Sequence, residues 1–166
     1  MKNTNFLLTA LLMSALVAVS FTSCKSDDDD DLPSGVEYLS SDSLLIGTWV
    51  NKTDTYTETY KITETMFSNG YYEGNNLTVI ESSDSSGYIY IKYTKAMNAD
   101  WSYSENAPDV GKWYAISYKN LTDDTVSISG AYKSGGATST ETLDEAVSEF
   151  TIENGYFGTY SDCTRQ

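Results

Sequence analysis

The sequence predicts an all-β domain of about eight antiparallel strands. We expect these strands to form a meander closed or nearly closed into a barrel, with one short helix before the last strand. The chain has 14 Tyr, abundant Thr and Ser, and only 2 Pro, a composition that suits pleated, half-buried surfaces. Several stretches alternate with period two, and short connections favour pairing between neighbouring strands. Eight strands can close a small barrel, and closure removes exposed edges.

The alternation is clearest in four stretches, in which one face collects large apolar or aromatic side chains. These stretches are 55–64, 87–95, 112–120 and 125–133. Shorter strand candidates lie at 47–52, 66–73, 76–82 and 156–161. Turn signals separate the candidates at 68–70, 74–76, 84–87 and 154–155. The link 96–110 has no clear period, and its length is typical of a functional lid or of a disordered loop.

One helix is predicted at 142–150, between the seventh and eighth strands. Thr142 and Glu145 have the spacing of a capping box. The apolar residues of the segment share one helical face, at Leu143, Ala146, Val147 and Phe150. We expect this stripe to be buried on the outside or at an open end of the barrel.

The expected inward faces combine aliphatic residues with tyrosines, an apolar lining whose hydroxyls can orient a ligand. The candidate ligand-binding tyrosines are Tyr56, Tyr60, Tyr93, Tyr114, Tyr118 and Tyr132. Glu58 lies in the same row, where a carboxylate either fixes a ligand or shows that the row faces outward. The alternative is that the tyrosines fill the interior as core side chains.

The amino terminus has the pattern of an export signal. An apolar segment of signal-peptide length, 6–21, precedes Ser23 and Cys24, and five consecutive aspartates follow at 27–31. This pattern resembles a bacterial lipoprotein signal, which implies that residues 1–23 are removed and that Cys24 is acylated, for example with palmitate. Residues 24–35 would then be an acidic disordered tether and 36–166 the barrel domain. The alternative is an ordinary secretory signal with a nearby cysteine.

Composition excludes several classes of function. A net charge of −14 disfavours binding to nucleic acid. The absence of histidine removes the usual general base and metal ligand, and no motif for a cofactor is present. Cys163 is expected to be an incidental terminal cysteine. We therefore expect no enzymatic activity, no cofactor and no metal site.

Two short motifs resemble those of the lipocalins. Gly47-x-Trp49 on the first predicted strand is similar to the lipocalin motif whose tryptophan closes one end of the barrel. The turn Thr122-Asp123 is similar to the lipocalin turn between the sixth and seventh strands. Lipocalins also carry an arginine on the eighth strand, whereas Arg165 follows the strand predicted at 156–161. The resemblance implies binding of a small, mostly apolar molecule.

The function expected from these observations is that of a lipoprotein of the bacterial outer membrane, anchored in the lipid bilayer through Cys24 and facing the cell surface, whose barrel carries a small ligand. One alternative is a glycan-binding or adhesive module, in which exposed aromatic side chains form a platform. The residues for such a platform are Trp101, Tyr103, Trp113, Tyr88 and Tyr90. A structural surface protein without a small ligand is the other alternative.

Overall fold

The strands pair around a complete circle. The computed structural model describes residues 32–166, which contain ten strands and one helix. The strands are β1 (Glu37–Tyr38), β2 (Gly47–Lys52), β3 (Thr57–Ile62), β4 (Met66–Ser68), β5 (Glu73–Ser83), β6 (Ser86–Met97), β7 (Tyr103–Ser104), β8 (Trp113–Lys119), β9 (Thr125–Gly130) and β10 (Ser161–Arg165). The helix, α1, is Leu143–Glu149.

The predicted closed meander is confirmed. Eight antiparallel strands follow one another around the barrel in the order β2, β3, β4, β5, β6, β8, β9 and β10, and β10 pairs with β2 to close it. β1 adds to β5, and β7 adds to the end of β6 within the link 96–110. Because these pairings and the core lie within residues 32–166, this part of the chain carries the complete barrel.

The last strand differs from the prediction. It begins at Ser161, where the predicted strand at 156–161 ends. Tyr156 and Phe157 are buried without belonging to a strand. Phe157 packs on Tyr88 of β6, with their ring centroids 5.6 Å apart. Residues 156–160 resemble a strand in composition because the aromatic side chains of Tyr156 and Phe157 are buried, but they are buried against other parts of the protein and not within the sheet.

A second difference concerns residues 66–73 and the turn expected at 74–76. The chain turns earlier, where Asn69 Oδ1 accepts hydrogen bonds from the backbone N–H groups of Tyr71 and Tyr72. Residues 74–76 lie within β5, and its register against β6 shifts between Asn75 and Thr78. Asn76 has a φ of 53°. The glycine and asparagine residues therefore form an irregularity inside a long strand, as such residues do in β-bulges.

The predicted helix is confirmed together with its cap. The Thr142 side chain accepts from the Glu145 backbone N–H, and the Glu145 carboxylate accepts from the Thr142 backbone N–H. Leu143, Ala146 and Phe150 are buried, while Val147 is half-buried. The helix contacts β8 and β6.

The interior of the barrel is packed with alternate side chains from each strand. Ile89, Ile91, Ile116 and Ile128 are all at most 1% exposed. A Cβ added at Gly87 would lie 2.9 Å from the Tyr118 hydroxyl, and one added at Gly130 would lie 2.6 Å from the Tyr114 hydroxyl. These glycines leave room for large inward side chains on the neighbouring strand.

The outward side of β6 and β8 is buried too. Tyr90 and Ala115 are at most 1% exposed, although they alternate with the interior residues of their strands. The segment between β9 and β10 covers this face: Tyr160 and Ser117 share a hydrogen bond of 2.9 Å, and the Ile152 N–H donates to the Tyr88 hydroxyl. The barrel therefore has an interior core and a second apolar layer outside β6 and β8.

Candidate ligand-binding site

Four of the six predicted tyrosines are buried, and two are not. Tyr60, Tyr93, Tyr114 and Tyr118 are each at most 8% exposed. Tyr56 is 53% exposed and Tyr132 is 75% exposed, so the expectation that they line the interior is wrong.

The two exposed tyrosines lie outside the strands. Tyr56 precedes β3, in a turn where its N–H donates to Thr53 Oγ1. Tyr132 follows the end of β9, and its N–H donates to the carbonyl of Tyr156. The period-two pattern of the sequence continues past the ends of the strands, where side chains no longer alternate between two faces.

Three tyrosines cluster at one end of the barrel, which we call the mouth: the end where β2, β6 and β9 finish and β3, β8 and β10 begin. The rings of Tyr93 and Tyr114 are stacked with centroids 4.9 Å apart, and Tyr72 meets the edge of Tyr114 at 5.3 Å. The Tyr114 hydroxyl donates to the carbonyl of Ala131 at 3.0 Å. We call these three side chains the tyrosine wall.

Tyr72 was not predicted as a site residue. It lies in the turn between β4 and β5, where no alternation marks an inward position. Its ring stacks on Phe67 at 5.7 Å, and Phe67 lies 6.1 Å from Tyr60. The aromatic contacts therefore connect the tyrosine wall to Tyr60 on β3. The only feature of the sequence that could have pointed to Tyr72 as a site residue is the adjacent Tyr71-Tyr72 pair beside a turn.

The tyrosine wall is uncharged at ordinary pH. Burial raises the pKa of Tyr72, and the neighbouring Tyr114 and Tyr93 raise it further. Burial also raises the pKa of Tyr93 and of Tyr114. These hydroxyls are therefore neutral hydrogen-bonding groups on an apolar surface.

Polar side chains from β2, β3 and β10 face the interior near the mouth. Asn51 on β2 pairs in register with Glu58 on β3. Ser161, the first residue of β10, donates from its hydroxyl to Glu58 Oε2 at 3.0 Å. Asn51 is 8% exposed, and its Oδ1 atom is buried without a hydrogen-bond partner. We call Asn51, Glu58 and Ser161 the polar wall.

Tyr60 lies beside the polar wall. Burial is the main cause of the raised pKa of its hydroxyl; a hydrogen bond with Ser161 opposes the rise, and Glu58 adds to it. Glu58 is half-buried, so the row faces inward while the carboxylate keeps some contact with solvent. Of the two alternatives that the sequence leaves open for this row, the structure shows the inward one.

The remaining buried tyrosine lies apart from this group. Tyr118 pairs with Gly87 toward the opposite end of the barrel. Burial raises its pKa to about 12, with a smaller contribution from the charge of Glu81. We therefore treat Tyr118 as a core residue and not as part of the candidate site.

Trp49 and Arg165 pack together at the end opposite the mouth. Trp49 is 0% exposed, and its Nε1 donates to the carbonyl of Leu45 at 2.8 Å. The guanidinium carbon of Arg165 lies 4.1 Å from the Trp49 ring centroid. Arg165 also donates to the backbone carbonyls of Asp123, Ile46 and Leu44.

Arg165 thus lies on the last strand, and the sequence-based expectation that it falls outside that strand is wrong. A Cβ added at Gly47 would clash with the Arg165 guanidinium. Gly47 therefore allows the cation to reach the tryptophan. Arg165 therefore connects the two short motifs. It stacks on Trp49 of the Gly47-x-Trp49 motif and donates to the carbonyl of Asp123 in the Thr122-Asp123 turn before β9.

Cys163 is a core residue and not an incidental terminal one. It is 2% exposed and pairs in register with Val126. Burial raises the pKa of its thiol to about 12, and the charges of Glu58 and Asp162 contribute. The thiol is therefore protonated at ordinary pH, which makes it a poor nucleophile.

The proposed aromatic platform is not one continuous surface. Trp101 is 75% exposed, whereas Tyr90 is 1% exposed and Tyr88 is covered by Phe157. Tyr103 contacts the exposed Tyr71 at 5.5 Å. The Trp101 loop and this tyrosine pair present aromatic surface to solvent near the end of β6, while Trp113 is half-buried at the start of β8.

Comparison with models of protein families, with curated proteins and with solved structures finds no match for this chain. The geometry defines a closed eight-stranded antiparallel barrel with a tryptophan–arginine stack at one end and a polar wall and a tyrosine wall at the other. Within residues 32–166, no helix is long and apolar enough to cross a membrane. The predicted signal peptide, Cys24 and most of the predicted tether lie outside the described residues.

Proposed function

We propose that this chain is a lipid-anchored, lipocalin-like protein that binds a small, mostly apolar molecule at the mouth of its barrel. The observation that carries the proposal is the position of Asn51, a buried amide whose oxygen lacks a partner. It lies beside the half-buried Glu58, in the region where the tyrosines gather. Convergent polar groups on an apolar lining are typical of ligand sites.

The depth of the site follows from the packing. Large side chains fill the barrel around Ile116 and Ile128, and Gly87 leaves space that Tyr118 occupies. A ligand would therefore enter only the mouth, with its polar end at the polar wall and its apolar body against Tyr72 and the other two rings of the tyrosine wall. The tyrosines then serve both as core and as lining.

The lipocalin-like assignment is supported by the contacts at the opposite end. Gly47 makes room for Arg165, and Arg165 stacks on Trp49 and donates to the carbonyl of Asp123. These contacts join the residues on which the resemblance rests.

Filling the mouth tests ligand binding. We expect Ser161→Trp to abolish binding of small aromatic and short aliphatic probes, measured by saturation-transfer NMR on the purified chain in phosphatidylcholine nanodiscs. Empty nanodiscs give the background. Thr164→Trp is the matched control, since Thr164 lies on the same strand but is exposed. Its binding should equal that of the unmodified protein.

Two results would contradict the proposal. One is binding that Ser161→Trp leaves intact. The other is binding of oligosaccharides instead of these probes, lost on Trp101→Ala and kept in Ser161→Trp. The second result would favour the glycan-binding alternative, in which the exposed Trp101 stacks on a sugar ring.

The anchoring proposal rests on the sequence around Cys24. We expect Cys24→Ala to abolish incorporation of a palmitate analogue during growth and to leave the signal peptide unprocessed by the lipoprotein pathway. Cys163→Ala is the control, because the other cysteine is buried in the barrel and should be irrelevant to acylation. Labelling that persists in Cys24→Ala would contradict the anchor. A separate experiment tests the location of the unmodified protein: cell fractionation for the outer membrane, and protease accessibility on intact cells for the cell surface.

A further inference from the structure

The buried oxygen of Asn51 needs a hydrogen-bond donor. Among residues 32–166, only Asn51 Oδ1 and Thr78 Oγ1 are buried side-chain polar atoms without a partner. Thr78 pairs in register with Tyr90 on the outward side of the barrel, whereas Asn51 belongs to the inward row of β2 with Trp49. A buried acceptor without a partner destabilises the protein, because the desolvation of the oxygen is not compensated by a hydrogen bond. A donor from outside the protein would remove that destabilisation.

Glu58 adds a negative charge at the same place. Its Oε2 atom accepts from Ser161, and it faces Asn51 across the β2–β3 pair. Within the part of the chain that the structure describes, no lysine or arginine forms an ion pair with Glu58. The half-buried carboxylate of Glu58 therefore faces the mouth with no lysine or arginine of residues 32–166 to balance its charge, and the buried amide oxygen of Asn51 lies next to it across the β2–β3 pair.

These groups discriminate between ligand headgroups. An anionic headgroup would be repelled by Glu58, and an alcohol can donate only one hydrogen bond. A protonated amine carries three donors and a positive charge, so it can bind Asn51 Oδ1 and Glu58 together. The rings of Tyr60 and of the tyrosine wall favour a cation with an apolar body.

We infer that the mouth selects small molecules with a protonated amine at one end of an aromatic or short aliphatic body, and that Asn51 and Glu58 bind the amine. This inference rests on the proposed function, that a small molecule occupies the mouth.

The experiment uses three probes with the same ring: phenethylamine, 2-phenylethanol and 3-phenylpropionate. Their dissociation constants are measured by ligand-observed NMR with the full chain in phosphatidylcholine nanodiscs. We expect the amine to bind at least about tenfold more tightly than the alcohol, a difference of about 1.4 kcal/mol, and the carboxylate to bind most weakly.

Glu58→Gln tests the charge while keeping an oxygen that can accept from Ser161. We expect it to reduce the affinity for the amine to that for the alcohol and to leave the affinity for the alcohol within about twofold. Glu64→Gln removes the same charge at an exposed turn and should change neither value. Asn51→Leu replaces the unpaired amide by an apolar side chain of similar size, so we expect a loss of amine affinity without a loss of stability.

The outcomes separate this inference from the proposed function. Equal binding of the three probes, unchanged by Glu58→Gln but lost in Ser161→Trp, would overturn the amine inference and keep the site at the mouth. Amine affinity that survives Asn51→Leu would overturn the assignment of Asn51 to the amine site. Failure of all three probes to bind would contradict the proposed function as well.

Discussion

Arg165 donates to three backbone carbonyls and stacks on Trp49, and these contacts join the last strand to the segment 44–49 and to the turn before β9. Its guanidinium lies over Trp49 and donates to carbonyls before β2 and before β9. A guanidinium presents several donors in a fixed plane, whereas a lysine ammonium is a point charge at the end of a flexible stem. Lysine at this position would therefore not replace it.

We expect Arg165→Ala to lower the free energy of unfolding by about 2 to 4 kcal/mol, because it leaves backbone carbonyls without a charged donor and uncovers Trp49. The measurement is the urea midpoint. Lys119→Ala is the matched control: it removes a cation that lies 3.9 Å from the Tyr160 ring centroid. Lys119 is exposed, so its loss should cost less than about 1 kcal/mol. Equal losses in the two variants would show that Arg165 has no special part in the fold.

At the scale of the element, α1 shows how a short helix is held in place. Seven residues are too few for a stable isolated helix. The Thr142–Glu145 capping box supplies hydrogen bonds at its start, and the burial of Ala146 and Phe150 supplies the tertiary contacts. Phe150 meets Tyr114 at 5.9 Å, so the end of the helix also supports the tyrosine wall.

A charge on the buried side of α1 tests this packing. We expect Ala146→Asp to destabilise the protein by about 2 to 4 kcal/mol, because Ala146 is 0% exposed. Ser148→Asp adds the same charge on the exposed side and should cost less than about 0.5 kcal/mol. Chemical denaturation measures both. An Ala146→Asp protein as stable as the Ser148→Asp protein would show that the helix does not depend on its buried face.

At the scale of the whole molecule, the barrel depends on neutral tyrosines. Burial raises the pKa of Tyr118 to about 12 and that of Cys163 to about 12, and it raises the pKa of Tyr60, Tyr93 and Tyr114 as well. A tyrosine whose pKa is higher in the folded protein than its unfolded value of about 10 contributes stability that is fully present at pH values below about 10. The contribution is lost as the pH rises toward the folded-state value.

We therefore expect unfolding between about pH 10 and 12, with several buried tyrosines ionising together. Tyrosinate absorbance follows the ionisation of the tyrosines, and far-ultraviolet circular dichroism follows the unfolding. Exposed tyrosines such as Tyr56 and Tyr132 should ionise first, without loss of structure. Added salt controls for repulsion between surface charges, which it screens. Ionisation of all 14 tyrosines in one transition while the fold persists would contradict this expectation.

Local patterns predicted much of this architecture. The period-two rows identified strands β3, β6, β8 and β9 and the inward positions of Tyr60, Tyr93 and Tyr114. The spacing of apolar residues and the Thr142–Glu145 pair predicted the helix and its cap. These features depend on residues near one another in the chain, so a short window of sequence contains the physical cause.

The sequence by itself determined the closed meander and the helix, because alternation and helical spacing act over a few residues. The structure decided that the row carrying Glu58 faces inward, which the sequence had left open. Only the tertiary structure decided that 156–160 covers the outside of the barrel, that β10 carries Arg165 to Trp49, and that Tyr72 joins the candidate site. It also decided that Asn51 is left without a partner. Each of these depends on which distant segment lies opposite a side chain, and strand composition is the same whether an aromatic residue packs inside a barrel or against its outer face.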